Sequence, residues 1–362
     1  MITEFPKVWQ DKLQEKAITE LTAIQKEVFS PISEGNNVLG ISPTGTGKTL
    51  AYLLPSLLKI TSKTSQQLLI LAPNTELAGQ LFEVTKEWAQ LLGIEAQLFI
   101  SGTSQKRQIE RLKKGPQVLI GTPGRVFELI KHKKIKMMNV DTIILDEYDE
   151  LLSDSQYHFV NNISHHVPRN HQMIYMSATN KVDPNTLEED TITIDLSNQE
   201  LSGIEHYYIS VDKRERIDLL RKFSNIPDFR ALVFFNSLSD LGASEDKLSF
   251  NGSSTVSLAS DVNVKFRKTI LERFKNNDIS LLLGTDLVAR GIDIDNLQYV
   301  INFEVARDKE NYTHRAGRTG RMGKKGAVIT FITHPEDLKK LKKFAKVTEL
   351  ILRNQKLIVT KS

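Results

Sequence analysis

Short runs of Val, Ile and Leu, four to six residues long, recur between longer amphipathic stretches and constrain this 362-residue chain more than any other feature. In the first half they are NVLGI (37–41), QLLILA (67–72), AQLFI (96–100), QVLI (117–120), TIILDE (142–147), QMIYMS (172–177) and TITID (191–195). Runs this apolar read as strands buried on both faces, and the roughly 15–25 residues between most of them are long enough for crossover helices. The pattern predicts a parallel α/β sheet. The polar segment LSNQELSGIE (196–205) follows, and a second series begins: HYYISV (206–211), ALVFF (231–235), SLLLGT (280–285), QYVINF (298–303) and AVITFI (327–332). Two α/β domains in tandem are expected, at 1–197 and 206–362, with a linker at 198–205. Length agrees, since 362 residues at ~150 per domain is about 2.4. Residues 240–260 show only weak periodicity.

Charged residues make up 25% and hydrophobic residues 40%, which excludes wholesale disorder and fibrous structure. The absence of cysteine excludes a disulfide scaffold, a thiol nucleophile and Cys-ligated zinc or iron–sulfur sites. The start MITEFPKVWQDKLQ is too polar for a signal peptide, and no apolar run approaches ~18 residues, so a cytoplasmic location without a membrane span is expected. Net charge is +4, too weak to argue for a polyanion. It is also an average: residues 338–362 carry eight Lys/Arg against one Glu, or +7, leaving −3 on the rest. That basic stretch reads as a solvated helix face or as a phosphate-contacting surface.

Between NVLGI and the helical stretch from Lys48 lies SPTGTGKT (42–49). Gly45 and Gly47 let the backbone curl so that consecutive N–H groups face an anion, and the following helix adds its positive end. Thr44, Gly45, Thr46 and Gly47 would cradle phosphates, Lys48 would reach the outer ones, and the Thr49 hydroxyl would hold Mg²⁺. Ser42 stands where the strict pattern has its first glycine. Asp146 and Glu147 close the run TIILDE, 98 positions after Lys48, at the strand edge where α/β sheets bind ligands. An acidic pair there is often only a solvated turn. Beside a phosphate loop it reads as a Mg²⁺ ligand (Asp146) and a group that orients or deprotonates an attacking water (Glu147).

With these motifs in hand, the chain resembles a DEAD-box RNA helicase of compact bacterial type, over roughly residues 5–345. The acidic block reads DEYD (146–149), with Tyr148 for the usual Ala, and SAT (177–179), TPGR (122–125), LVFFNS (232–237), GTDLVARGID (284–293) and HRAGRTGR (314–321) follow the family's pattern. AITELTAIQ (17–25) resembles the adenine-reading Q motif, with Gln25 as its glutamine and Phe5 as a candidate stacking ring. The resemblance implies two tandem RecA-like domains with ATP in the interdomain cleft. It implies Arg318 and Arg321 as arginine fingers; lying three apart, they would share one face of a helix. It also implies Gly291 and Asp293 near the nucleotide, and Ser177, Thr179 and His314 as coupling residues. RNA would be held by Pro73, Thr75, Glu76, Gly102, Thr122, Gly124, Arg125, Arg267 and Thr285, groups suited to phosphate and 2′-OH rather than base edges. Binding without sequence preference, by a monomeric core using ATP and Mg²⁺, follows from the resemblance.

Two departures bear on RNA grip. Thr75 replaces the family's Arg, removing a charged hydrogen bond of about 1.5–3 kcal/mol. Val264 stands where Gln is expected, although Asp261 and Arg267 remain. The expected activity is ATP-dependent local unwinding of RNA duplexes. An ATP-gated RNA clamp with little unwinding is the alternative, and a DNA translocase on the same fold is disfavoured by the Q-motif match.

Overall fold

The computed structural model describes residues 2–61, 65–152, 154–179, 182–197, 203–250, 254–258, 264–286, 297–320 and 325–360. The chain divides into two compact units, Met1–Gln199 and Glu200–Ser362. No helix among the described residues is long and apolar enough to cross a membrane.

In the first unit seven strands form one wholly parallel sheet: β1 (Val38–Ile41), β2 (Leu68–Leu71), β3 (Ala96–Phe99), β4 (Val118–Gly121), β5 (Thr142–Leu145), β6 (Gln172–Ser177) and β7 (Ile192–Asp195). Their order is β3-β4-β2-β5-β6-β1-β7. Alternate residues of each central strand feed two cores on opposite faces. Leu68 and Ile70 join one, while Leu69 and Leu71 join the other. That is why these runs are apolar without alternation. Against the first face pack α1 (Lys7–Glu15), α2 (Ala23–Ser33), α3 (Lys48–Leu58) and α4 (Thr75–Gln90), through residues such as Trp9, Val28, Leu53 and Trp88. The second face is covered by α5 (Gln105–Leu112), α6 (Pro123–Lys131), α7 (Tyr148–Leu151) and α8 (Asp154–Ser164). One expectation needs correction. The run TITID forms an edge strand, β7, that is largely exposed rather than buried on both faces. Among the described residues it pairs with β1 alone and stands at the edge of the sheet.

The second unit repeats the plan with β8 (Ile204–Ser210), β9 (Ala231–Phe235), β10 (Thr255–Ser257), β11 (Leu281–Thr285), β12 (Tyr299–Asn302), β13 (Gly326–Ile332), β14 (Thr348–Arg353) and β15 (Lys356–Val359), ordered β10-β11-β9-β12-β13-β8-β14-β15. All pairs are parallel except the terminal hairpin β14–β15. After α9 (Arg216–Ser224), the weakly periodic region 240–260 contains most of α10 (Leu238–Phe250), followed by β10. The basic C-terminal stretch is part helix and part hairpin. In α13 (Pro335–Lys342) Leu341 is buried while Lys339, Lys340 and Lys342 face solvent.

One close approach in the first unit brings two loop-bearing strand ends together. Phe99 and Gly121 are register partners at the ends of β3 and β4. A Cβ on Gly121 would lie 2.4 Å from the Phe99 carbonyl oxygen and 2.8 Å from a Val126 methyl. The first contact is with backbone that cannot swing away. Gly121→Ala is therefore expected to destabilise the protein by about 1–3 kcal/mol, read as a shift of the denaturant midpoint at unchanged slope.

Candidate active site

Six of the seven strand ends in the first unit open, at one edge of the sheet, onto segments that carry sequence-predicted residues. After β1 the chain turns through residues 42–47. Gly45 and Gly47 both take φ +87°, and a Cβ on Gly47 would meet Gln25 Nε2 at 2.5 Å. Only glycine fits. Ser42, which departs from the strict motif, is used inside the loop: its hydroxyl donates to Thr46 Oγ1 (2.8 Å), which donates to the Pro43 carbonyl (2.8 Å). Thr44 is buried in the same turn. Lys48 opens α3 with its side chain 7% exposed, and its ammonium donates to the Ser42 carbonyl at 2.7 Å. Thr49 follows, half-buried, in the first turn of that helix.

Gln25 on α2 reaches the same loop. Its Nε2 donates to the Gly47 carbonyl (3.1 Å), while its Oε1 accepts from the Thr22 N–H (2.9 Å). The second bond fixes which end of the amide faces the loop. Phe5 is a different matter. It lies in the core, 4% exposed, with its ring against Trp9 and Phe29 at 5.9 and 5.5 Å between centroids. The open ring face expected for stacking is taken up by packing.

Asp146 follows β5 and is buried. Burial, with the Glu147 carboxylate next in importance, pushes its carboxyl up to about 7 against the pull of the Lys48 ammonium. The Tyr52 hydroxyl of α3 donates to Asp146 Oδ2 at 3.3 Å, and burial and this carboxylate hold that hydroxyl protonated well above its usual range. Sequence reasoning missed Tyr52. It lies four residues after Lys48, one helical turn along α3, which is the available signal. Glu147 adopts a left-handed conformation (φ +50°, ψ +53°) as the N-cap of α7, a strained state for a non-glycine residue. The unusual Tyr148 is buried. Its ring packs on Tyr175 of β6 at 4.8 Å and its hydroxyl donates to the Thr186 carbonyl at 3.0 Å. Asp149 accepts from the Thr179 hydroxyl at 3.1 Å, and Ser177 Oγ accepts from the Thr179 N–H at 3.1 Å. The acidic turn and the end of β6 are thus joined directly.

The predicted RNA contacts of the first unit follow β2, β3 and β4. Asn74 caps α4 by accepting from the Leu77 N–H (2.9 Å), with Pro73 just before it, Thr75 exposed in the first turn and Glu76 half-buried. Gly102 is exposed at φ +77°. Thr122 caps α6, its N–H bonded to the Phe99 carbonyl at 3.2 Å. That bond sets the β3 end beside the turn carrying Thr122, Gly124 and Arg125. The Arg125 guanidinium is buried rather than free in solvent, its Nη1 on Glu128 (2.6 Å) and its Nε on Gln108 (3.1 Å).

In the second unit α12 (Lys309–Ala316) carries His314, which is buried. It ends at Ala316, so Arg318 lies in the turn beyond it and not on the helix. The shared helix face expected for Arg318 and Arg321 is overturned at Arg318: Gly317 caps the helix, and Thr319 bridges to Leu297. Arg321, Gly291 and Asp293 lie outside the described residues, as does Asp261. Arg267 falls in α11 (Val264–Lys275), and its side chain is outside the description. Thr285 ends β11, half-buried. Sequence reasoning also missed Arg315, which is fully buried. It makes a two-point ion pair with Asp286 (2.6 and 2.7 Å) and donates to Asn302 (3.1 Å) and Asn236 (2.7 Å). Its adjacency to His314 was the signal.

Residues 22–187 match the DEAD/DEAH box helicase family, and residues 215–323 match the helicase conserved C-terminal domain. The chain is 38% identical over 332 residues to the probable ATP-dependent RNA helicase YfmL of Bacillus subtilis, covering 90% of this chain and 88% of that protein. It is 36% identical over 363 residues to the DEAD-box ATP-dependent RNA helicase CshC of Bacillus cereus, covering 99% and 93%. Among solved structures, S. cerevisiae Dbp5 bound to RNA and ADP BeF3 is similar in fold, with a TM-score of 0.82 and 24% identity over 96% of this chain and 94% of that one.

The raised Asp146 carboxyl has a measurable consequence. The folded protein holds this proton more tightly than the unfolded chain. The resulting stabilisation is complete below the ordinary value of 3.8 and is lost as pH rises through about 7. Above that, the nucleotide-free protein bears a buried charge. Asp146→Asn is expected to stabilise it by about 1–3 kcal/mol at pH 8 and by less at pH 5, read by denaturant unfolding at both pH values.

Proposed function

We propose that this chain, which belongs to the DEAD/DEAH box helicase family, is an ATP-dependent RNA helicase that opens short RNA duplexes locally. The observation that carries the reading is Gln25 bonded to the phosphate loop beside a buried Lys48, at the same sheet edge as Asp146 and Glu147. A glutamine holding the loop by its amide is suited to reading an adenine. The loop's glycines leave room for phosphates, and Lys48 is released from the Ser42 carbonyl to reach the outer ones. A buried carboxylate with a raised affinity for positive charge fits a divalent cation. Thr49 and Asp146 would hold Mg²⁺, which would neutralise charge on the phosphates. Glu147 takes a proton from, or orients, the attacking water. Arg318 supplies positive charge to the developing phosphate charge, with Arg321 as its partner.

Thr179, bonded to Asp149, carries the state of the acidic turn to Ser177 and the end of β6, and His314 serves the same coupling in the second unit. Pro73, Thr75, Glu76, Gly102, Thr122, Gly124 and Arg125 bind the RNA backbone from the first unit, and Arg267 and Thr285 from the second. Closure of the two units on ATP and RNA then strains one strand of a duplex. The core works as a monomer in the cytoplasm. A second reading, an ATP-gated RNA clamp, is favoured by Thr75, which is exposed at the start of α4 without a charge to offer a phosphate. ATPase stimulation by RNA with no release of a short duplex would support the clamp.

Two variants test the chemistry together. Lys48→Ala is expected to weaken nucleotide binding by about 10–100-fold. Glu147→Gln is expected to bind an ATP analogue and RNA normally while turnover falls by about 10²–10⁴. Normal turnover by Glu147→Gln would sink the mechanism.

A further inference from the structure

Arg125 presents an unusual inventory of donors. Its side chain is more than nine-tenths buried, Nε and Nη1 are bonded to Gln108 and Glu128, and Nη2 is buried with no acceptor among the described residues. Buried donors are ordinarily satisfied. A planar fork with two nitrogens held and the third unsatisfied is oriented to bond an anion that displaces what covers it.

Gln108 does the holding. It is buried in α5, and its amide spans two segments that the sequence does not link. Its Oε1 accepts from Arg125 Nε at 3.1 Å, while its Nε2 donates to the Ile100 carbonyl at 2.8 Å and to the Thr103 hydroxyl. Those last two residues flank Gly102. One side chain therefore ties the 100–103 loop to the first turn of α6. Gln108 also borders a cavity of 230 Å³, lined as well by Phe82, Leu98 and Arg107. Packing is open on that side, so hydrogen bonds rather than contacts fix the amide. Glu128 completes the arrangement, its other oxygen accepting from Gln105 Nε2 at 3.1 Å.

We propose that Gln108 is a positioning residue for RNA binding: it holds Arg125 with Nη2 directed to an RNA phosphate and locks the Gly102 loop to the same frame. The proposal rests on the assignment of Arg125 as an RNA contact made above. Without Gln108 the guanidinium keeps only Glu128, and the fork turns toward that carboxylate and away from the phosphate.

The test uses Gln108→Met, which preserves length and shape but cannot make these hydrogen bonds, together with Arg125→Ala and the double variant of the full chain. Binding to single-stranded RNA is titrated across salt concentrations, with ATP-analogue binding and thermal unfolding as controls. Gln108→Met is expected to weaken RNA binding about 10-fold and to reduce the slope of log K against log salt by about 0.7, the share of one phosphate contact on a single strand. Nucleotide binding stays unchanged, and Gln108→Met costs much less in the Arg125→Ala background than in the parent, the remainder being the unlocked Gly102 loop. The proposal is overturned if Gln108→Met binds RNA as the parent does, if its salt slope is unchanged, or if it weakens RNA binding equally in the Arg125→Ala background. Should Arg125→Ala itself leave affinity and slope intact, the RNA-contact assignment fails, and the proposal falls with it.

Discussion

A lysine and an aspartate, both more than nine-tenths buried at one end of a parallel sheet, set the terms for the first unit. Burial of charge is costly unless it is compensated. Lys48 finds the Ser42 carbonyl, and Asp146 finds the Tyr52 hydroxyl, but neither is a full counter-charge. Burial and the neighbouring Glu147 carboxylate together raise the Asp146 carboxyl above its usual range. A site built this way trades stability for affinity. Its charges are complementary to those that the proposed metal-bound nucleotide would bring. The left-handed Glu147 beside it adds backbone strain at the same place.

The strand order then divides the labour along the edge. β1, β5 and β6 deliver the phosphate loop, the acidic turn and the Ser177–Thr179 turn, while β2, β3 and β4 deliver the segments read as RNA contacts. The two groups meet at the β2–β5 pair, where the Asp146 N–H bonds to the Leu71 carbonyl at 3.0 Å. A parallel sheet forces this arrangement, because every strand ends on the same side. In the second unit Arg315 does comparable work by ionic means. Asn236, Asp286 and Asn302 follow or end β9, β11 and β12, so one buried guanidinium gathers three strand ends. Removing either partner of such a pair would leave a buried charge, a loss of about 3–5 kcal/mol.

Much of the fold was legible because its signal is local. Every apolar run named from the sequence forms a strand, and the central ones are apolar throughout because both their faces are buried. The strands missed, β10, β14 and β15, lie at the two flanks of the second sheet, where exposure dilutes the apolar signal. β7 is the converse, an apolar run that reads as buried although the strand is largely exposed at the sheet's edge. At the site, Lys48 and Asp146 could be named because each belongs to a pattern of fixed spacing, and Gln25 because the family resemblance marks it. Phe5 could not be placed: whether an aromatic ring faces a ligand or fills a core depends on what packs against it, here Trp9 and Phe29. Arg318 was put on a helix because nothing in its spacing reveals that Gly317 ends one.

By itself, then, the sequence determined the class of fold, the phosphate loop and the acidic pair, because backbone conformation and binary burial are written in neighbouring residues. The tertiary structure alone decided which distant side chains complete one another: Tyr52 with Asp146, Arg315 with Asp286, Gln108 with Arg125. These pairs are separated by 94, 29 and 17 positions. Their meeting follows from strand order and close approaches such as that at Gly121. A hydrogen bond is directional and short-ranged, so its partner cannot be known until the chain has been folded around it.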